Sequence, residues 1–300
     1  MNRFLHAHLA LFGANLIYGL NYTLAKEVMP QYIQAFGFIF CRVTGALVLF
    51  WLVHALFYRE KIERSDIPRL ILCGLFGVAI NQLLFFKGLD MTHPINASII
   101  MTTNPILVLI MSTLIARERL NWFKALGVSL GIAGALILIT MNRSFQFGDS
   151  TSLGDLLILI NAASYGLYLV LVKKLMLKYK AITVIKWVFL FGYLVVFPVG
   201  FSEFRQIHWS AFTATVIWET VYVIVGTTFL AYLFNIYALK VISPTVASAY
   251  IYLQPVLASL FAVWMGKDEI TLLKVSATAL IFVGVYLVSR PGVKKVQTTG

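Results

Sequence analysis

Arg42 sits inside the apolar run FGFIFCRVTGALVLFWLV. A guanidinium in such surroundings is expensive to bury and suits two tasks: gripping a solute carboxylate, or satisfying backbone carbonyls where helices meet. Amides and tyrosines recur at helical spacing in other apolar runs. Asn15, Tyr18 and Tyr22 are spaced i, i+3, i+7 with Asn21 beside them, and Asn161, Tyr165 and Tyr168 repeat i, i+4, i+7. Asn81 and Gln82, then Asn235, then Tyr250 with Gln254 add polar groups to further runs. One at a time these residues read as interhelical hydrogen bonds of about 1 kcal/mol or less. Taken together they exceed what holding helices requires and favour a cavity lined by aromatics and amides. Asn104-Pro105 and Gln254-Pro255 place an amide before a proline that removes a helical hydrogen bond, so each segment should kink and free a carbonyl. Lys87 and Lys186 lie near segment ends, where a lysine can snorkel to the interface, and Lys87 is kept as a candidate ligand.

This is chemistry of binding rather than of catalysis. Asp occurs only at 66, 90, 149, 155 and 268, in loops or helix ends, and of seven Glu only Glu219 falls where a helix start would submerge it. A membrane aspartyl protease needs two buried Asp and a metalloprotease an HExxH helix, and neither pattern occurs. His6, His8, His54, His93 and His208 form no ligand cluster, and no phosphate-binding loop is written in the chain, so neither a metal nor a nucleotide cofactor is expected. Proton relays favour buried carboxylates or histidines, so no obvious proton coupling is legible.

The elements that must position these groups follow from composition. Sixty per cent of the 300 residues are hydrophobic and 12% charged, against about 25% charge in a soluble domain. Runs of roughly 20 apolar residues span a bilayer as helices. Ten segments come close to that length: 7–27, 33–57, 69–89, 94–116, 122–140, 154–173, 181–201, 219–239, 244–265 and 272–289. Residues 209–218 read either as an interfacial segment or as an early part of the eighth helix. The first run is too long for a signal peptide and is followed by others, so it is read as a membrane helix. Cys41 and Cys73 lie inside apolar runs and imply no disulfide framework. With the N-terminus inside, sixteen Lys and Arg fall on the cytoplasmic side and six on the other, which puts both termini in the cytoplasm. The same bias explains the net charge of +12 without nucleic acid.

A displacement of 150 residues lays LDMTHPINASIIMTTNPIL, from Leu89, on LKVISPTVASAYIYLQPVL, from Leu239. Pro94 meets Pro244, Asn104-Pro105 meets Gln254-Pro255, Lys124 meets Lys274 and Gly134 meets Gly284. Five helices per half is an odd number, so the second half enters from the opposite side, as in transporters built from inverted repeats.

On these pieces, together with IYGLNYTLAK, GALILI, GVYLVS, Arg42 and the acidic residues Glu118 and Asp268 or Glu269 that close the fourth and ninth segments, the sequence resembles the EamA-type branch of the drug/metabolite transporter superfamily. The resemblance implies an all-α membrane protein of ten transmembrane helices in two inverted five-helix repeats, residues 1–146 and 147–290, with a cytoplasmic tail at 291–300. It implies a multi-pass protein of the cell membrane, of the bacterial inner-membrane kind, present as a monomer or homodimer. The activity it implies is secondary transport of a small-molecule substrate by alternating access, in the direction of export and with amino acids or related compounds as cargo. A zwitterion or a monoanion suits one buried Arg among amides and aromatics. A membrane enzyme and a non-transporting assembly or receptor protein are the rival classes. Because the family commonly carries Arg at the position of Arg42, the match favours a clamp or shared role over substrate choice for this residue.

Overall fold

The computed structural model describes residues 2–29, 31–92, 97, 100–118, 120–141, 152–264 and 270–290, and every regular element among them is helical. In chain order these are α1 (Asn2–Val28), α2 (Ala35–Phe57), α3 (Arg64–Met91), α4 (Asn104–Leu114), α5 (Trp122–Met141), α6 (Ser152–Met176), α7 (Ala181–Phe204), α8 (Ala214–Ala238), α9 (residues 244–264) and α10 (Leu272–Ser289). Six of them, α2, α3, α6, α7, α8 and α10, are long and apolar enough to cross a membrane, while α4 and Trp122–Ile137 of α5 are shorter apolar helices. Between 33% and 50% of each spanning window is buried inside the protein, so the remaining apolar surface must meet lipid. Phe57, Leu56, Leu194 and Phe282 are among the large side chains presented outward. The protein is a multi-pass membrane protein.

Local chemistry fixes where the helices start. Thr213, Ser243 and Thr271 cap α8, α9 and α10 by accepting the backbone N–H three residues on, at 3.3, 3.4 and 3.3 Å. α3 opens with a 3-10 turn at Arg64–Asp66, ahead of the expected 69, and Pro68 stands in the first turn of the α-helical part that starts at Ile67, where a missing N–H costs little. Residues 209–211 form a separate 3-10 turn, and α8 starts at Ala214, five residues before the expected boundary. The helical runs are interrupted ahead of both paired prolines: Thr102 and Thr103 form a turn before Pro105, and Tyr250–Tyr252 a 3-10 turn before Pro255. Pro94, Ser98, Asp268, Glu269 and the 291–300 tail lie outside the described residues.

The displacement of 150 residues also relates irregularities in the helices. Leu75–Ala79 of α3 is a π-helical stretch, and Val223–Leu230 of α8 is another that contains its displaced copy. Such widened turns are rare and cluster at functional sites. Helices α5 and α10 touch along glycines: a Cβ on Gly127 would lie 2.6 Å from the Gly284 carbonyl, one on Gly284 2.6 Å from the Gly127 carbonyl, and one on Gly134 2.6 Å from the Ala277 carbonyl. Gly127 and Gly134 correspond under the displacement to Ala277 and Gly284, so the contact is reciprocal. Helices α2 and α7 pack through Phe50 and Phe189, whose rings are 4.9 Å apart, and both rings are fully buried.

Candidate solute-binding site

Arg42 lies seven residues into α2, about 10 Å along its axis, and is only 6% exposed. Its Nε donates to Thr228 Oγ1 at 3.1 Å, and the guanidinium carbon lies 5.2 Å from the Phe86 ring centre and 5.9 Å from that of Phe38. Thr228 belongs to the π-helical stretch of α8. There the widened turn leaves the Val223 carbonyl open to side chains, and the hydroxyls of Thr227 and Thr228 donate to it at 2.6 and 2.8 Å. The Thr228 oxygen is thereby aimed at α2. Among the described residues Arg42 has no further hydrogen bond and no ion pair, so both Nη groups remain available.

Neutral polar groups surround it. Tyr18 of α1 and Tyr232 of α8 are within electrostatic reach of Arg42, and Tyr18 also approaches Tyr165 and Asn235. Gln82 Nε2 lies 3.4 Å from the Tyr232 hydroxyl, a pair separated by 150 residues, the same displacement that relates the two π-helical stretches. The Tyr232 hydroxyl in turn points to the Gly77 carbonyl at 3.3 Å and to Asn81 Oδ1 at 3.5 Å. The irregular part of α3 is tied down from α6 as well: Ser164 donates to the Phe76 carbonyl at 2.6 Å and Asn161 to the Asn81 carbonyl at 2.5 Å. Tyr168 packs its ring directly on Gly77, where any side chain would collide with it, and Tyr165 lies 6.0 Å from Tyr168 and half-buried.

The candidate residues therefore sort into groups. Tyr18, Arg42, Asn81, Gln82, Tyr165, Tyr168 and Asn235 gather around the junction of α1, α2, α3, α6 and α8, although Asn235 spends its donor on the Ala231 carbonyl of its own helix at 2.8 Å. Asn161 and Asn104 face α3 and α6 as ties, Asn104 donating to the Ala162 carbonyl at 2.7 Å and fully buried. Gln254 and Tyr250 of α9 join α1 instead: Gln254 Nε2 donates to Asn15 Oδ1 at 3.0 Å, and the Tyr250 hydroxyl meets His8 Nδ1 at 2.5 Å. Lys87 stands apart at the end of α3, half-exposed and paired with Asp90 at 3.3 Å. Asn21 and Tyr22 lie on α1, with side chains outside the described set. Lys186 does not snorkel: it is 6% exposed, its Nζ lies 2.9 Å from His54 Nδ1, and the Trp51 ring is 4.6 Å away. Glu219, at the edge of the carboxylate census, is buried in α8.

Sequence reasoning missed Tyr232, Thr228 and the Lys186–His54 pair. Tyr232 carried a signal, being the residue displaced by 150 from Gln82. Thr228 carried none, because its role depends on a local widening of α8.

At the end of the protein where α1 begins, a cavity of about 820 Å³ is lined by residues of α1, α2, α7 and α8 and of the segments that flank them. His6, Tyr58, Lys180, Tyr237 and Lys240 supply its polar lining, with Phe234 among the apolar groups. The Lys180 ammonium rests 4.9 Å from the Tyr58 ring centre. A loop clamp closes nearby, where Lys178 bridges Glu63 and Asp66; the two carboxylates hold its ammonium above the ordinary lysine range.

A family model described as the EamA-like transporter family matches residues 5–140 and again residues 152–290. The chain belongs to the EamA-like transporter family. Relatives of this EamA-like protein include an uncharacterized transporter of Archaeoglobus fulgidus, 23% identical over 273 residues, with 91% of this chain and 95% of the other covered. The uncharacterized transporter YyaM of Bacillus subtilis is 24% identical over 290 residues, covering 95% and 94%. A WAT1-related protein of Arabidopsis thaliana is 23% identical over 303 residues, covering 90% and 79%. A crystal structure of a protein 19% identical in sequence has the same fold, with a TM-score of 0.75 over 94% of this chain and 95% of that one.

Proposed function

We propose that this EamA-like protein is a secondary carrier that moves small metabolites by alternating access between two inverted five-helix halves, residues 1–146 and 147–290. All of α1–α10 cross the membrane in this reading, and both termini lie in the cytoplasm. The observation that carries it is the buried Arg42 with both Nη groups unspent, set on the π-helical stretch of α8 among neutral tyrosines and amides. Such a group in the bilayer is costly unless it meets something, and a carrier supplies that partner transiently. The 150-residue correspondence supports the inverted arrangement: Gln82 meets Tyr232, the α5–α10 contact is reciprocal, and both π-helical stretches flank the same junction. The cavity between α1, α2, α7 and α8 is then an opening on the cytoplasmic side, the expected way in for an exported solute. Amino acids and related compounds suit the site insofar as they offer Arg42 a carboxylate.

Purified protein in liposomes, loaded with a mixture of labelled amino acids and monocarboxylates, tests this reading. At least one solute should leave down its gradient without ATP, and loss of release in Arg42→Met would tie the movement to the site. Retention of the whole mixture in vesicles containing correctly folded protein would reject a carrier for these compounds.

A further inference from the structure

A carrier must set the charge of what it accepts, and the structure carries information on that point. Arg42 is buried, and among the described residues it makes no ion pair. Its neighbours Tyr18, Gln82, Thr228 and Tyr232 are neutral, and Phe38 and Phe86 flank the guanidinium with ring faces. Ring faces offset part of the desolvation, but they do not cancel the charge. Buried arginines are ordinarily matched by a carboxylate. The single bond from Nε to Thr228 fixes the fork while leaving both Nη groups for two parallel bonds to a carboxylate.

The cavity offers a second, separate observation. The ionisable groups on its lining, other than tyrosines, are His6, Lys180 and Lys240, with no carboxylate among the described lining residues. The cavity lining therefore favours negative charge. A cation is disfavoured there. A zwitterion satisfies Arg42 with its carboxylate, but the ammonium then enters a cluster without a carboxylate. A monoanion leaves no charge uncompensated, and the rings of Tyr18, Tyr165 and Tyr232 suit a flat apolar body. We propose that the solute is a small aromatic monocarboxylate, held at Arg42 as a bidentate ion pair and carried as a net anion. The proposal rests on the carrier reading of this same site.

Three probes separate the alternatives: 3-phenylpropionate, phenylalanine and phenethylamine share a phenyl ring on a short chain and carry one negative charge, no net charge and one positive charge near neutral pH. The full-length protein in detergent is titrated with each, following thermal unfolding and tryptophan fluorescence. Flux is then measured in proteoliposomes after subtraction of protein-free vesicles. Phenylpropionate should bind at least roughly tenfold more tightly than phenylalanine, and phenethylamine should not bind. Arg42→Met should remove the phenylpropionate response, and Arg42→Lys, which keeps charge and loses the fork, should weaken it roughly tenfold. Should the Met variant fail to insert, the Lys variant and the wild-type ranking decide the matter. Phenylalanine binding as tightly as phenylpropionate, a response unchanged by either Arg42 substitution, or no phenylpropionate binding would overturn the proposal. Flux of phenylalanine without phenylpropionate binding leaves a carrier and removes the monoanion; phenylpropionate bound through Arg42 but never crossing leaves the anion site and removes the carrier.

Discussion

Two buried cations show how differently a membrane interior treats the same charge. Lys186 has a hydrogen-bond acceptor in His54, two indole rings nearby and the Glu60 carboxylate within electrostatic reach, so its charge is locally compensated. Arg42 has Thr228 and two phenyl faces, which position it without neutralising it. The two sites yield separate expectations. His54→Leu removes the acceptor of the Lys186 ammonium and should cost about 1.5–3 kcal/mol of stability, whereas adding Lys186→Met to it should recover more than half; unfolding in detergent measures both. Failure of the double variant to recover would mean that the pair contributes packing rather than a hydrogen bond to the ammonium. Thr228→Val removes the one hydrogen bond that orients the Arg42 fork, so it should weaken solute binding roughly tenfold in addition to costing about 1.5–3 kcal/mol of stability. Arg42 was legible in the sequence because a lone Arg within an apolar run has few explanations. The Lys186–His54 pair was not, because its two members are 132 residues apart and each looks like an ordinary end-of-helix residue.

Among the elements, the paired prolines and the paired π-helical stretches behave differently toward prediction. The interruptions ahead of Pro105 and Pro255 could be read directly, since a missing N–H leaves a carbonyl unpaired one turn earlier wherever the proline stands. The amides before them could not be assigned a role: Asn104 turns to the Ala162 carbonyl and Gln254 to Asn15, partners on other helices that no local spacing specifies. The π-helical stretches have no composition signature, and Gly77 earns its place only because Tyr168 packs against it. The glycines between α5 and α10 support a sharper expectation. Gly284→Ala would put a methyl 2.6 Å from the Gly127 carbonyl and should destabilise the helix pair by about 1–3 kcal/mol. Thermal unfolding in detergent checks it, and an unchanged melting temperature would mean that the two helices separate freely there.

For the molecule as a whole, the apolar runs and their charged connections were legible because a bilayer demands a fixed length of satisfied backbone. Their mutual packing was not, since it depends on contacts such as Gln82 with Tyr232 that only the repeat hints at. The cavity of about 820 Å³ near the start of α1 left no trace in sequence, as its lining comes from four separate helices. Reporter fusions at residues 65 and 148 should locate the first in the cytoplasm and the second outside, and the same side for both would break the proposed inversion. The most direct test of a carrier centred on Arg42 is solute release from proteoliposomes in the absence of nucleotide. Wild-type protein should empty vesicles of its solute down the gradient, while Arg42→Met, inserted and folded, should leave them full. A strict requirement for ATP, or equal release by the two proteins, would contradict it.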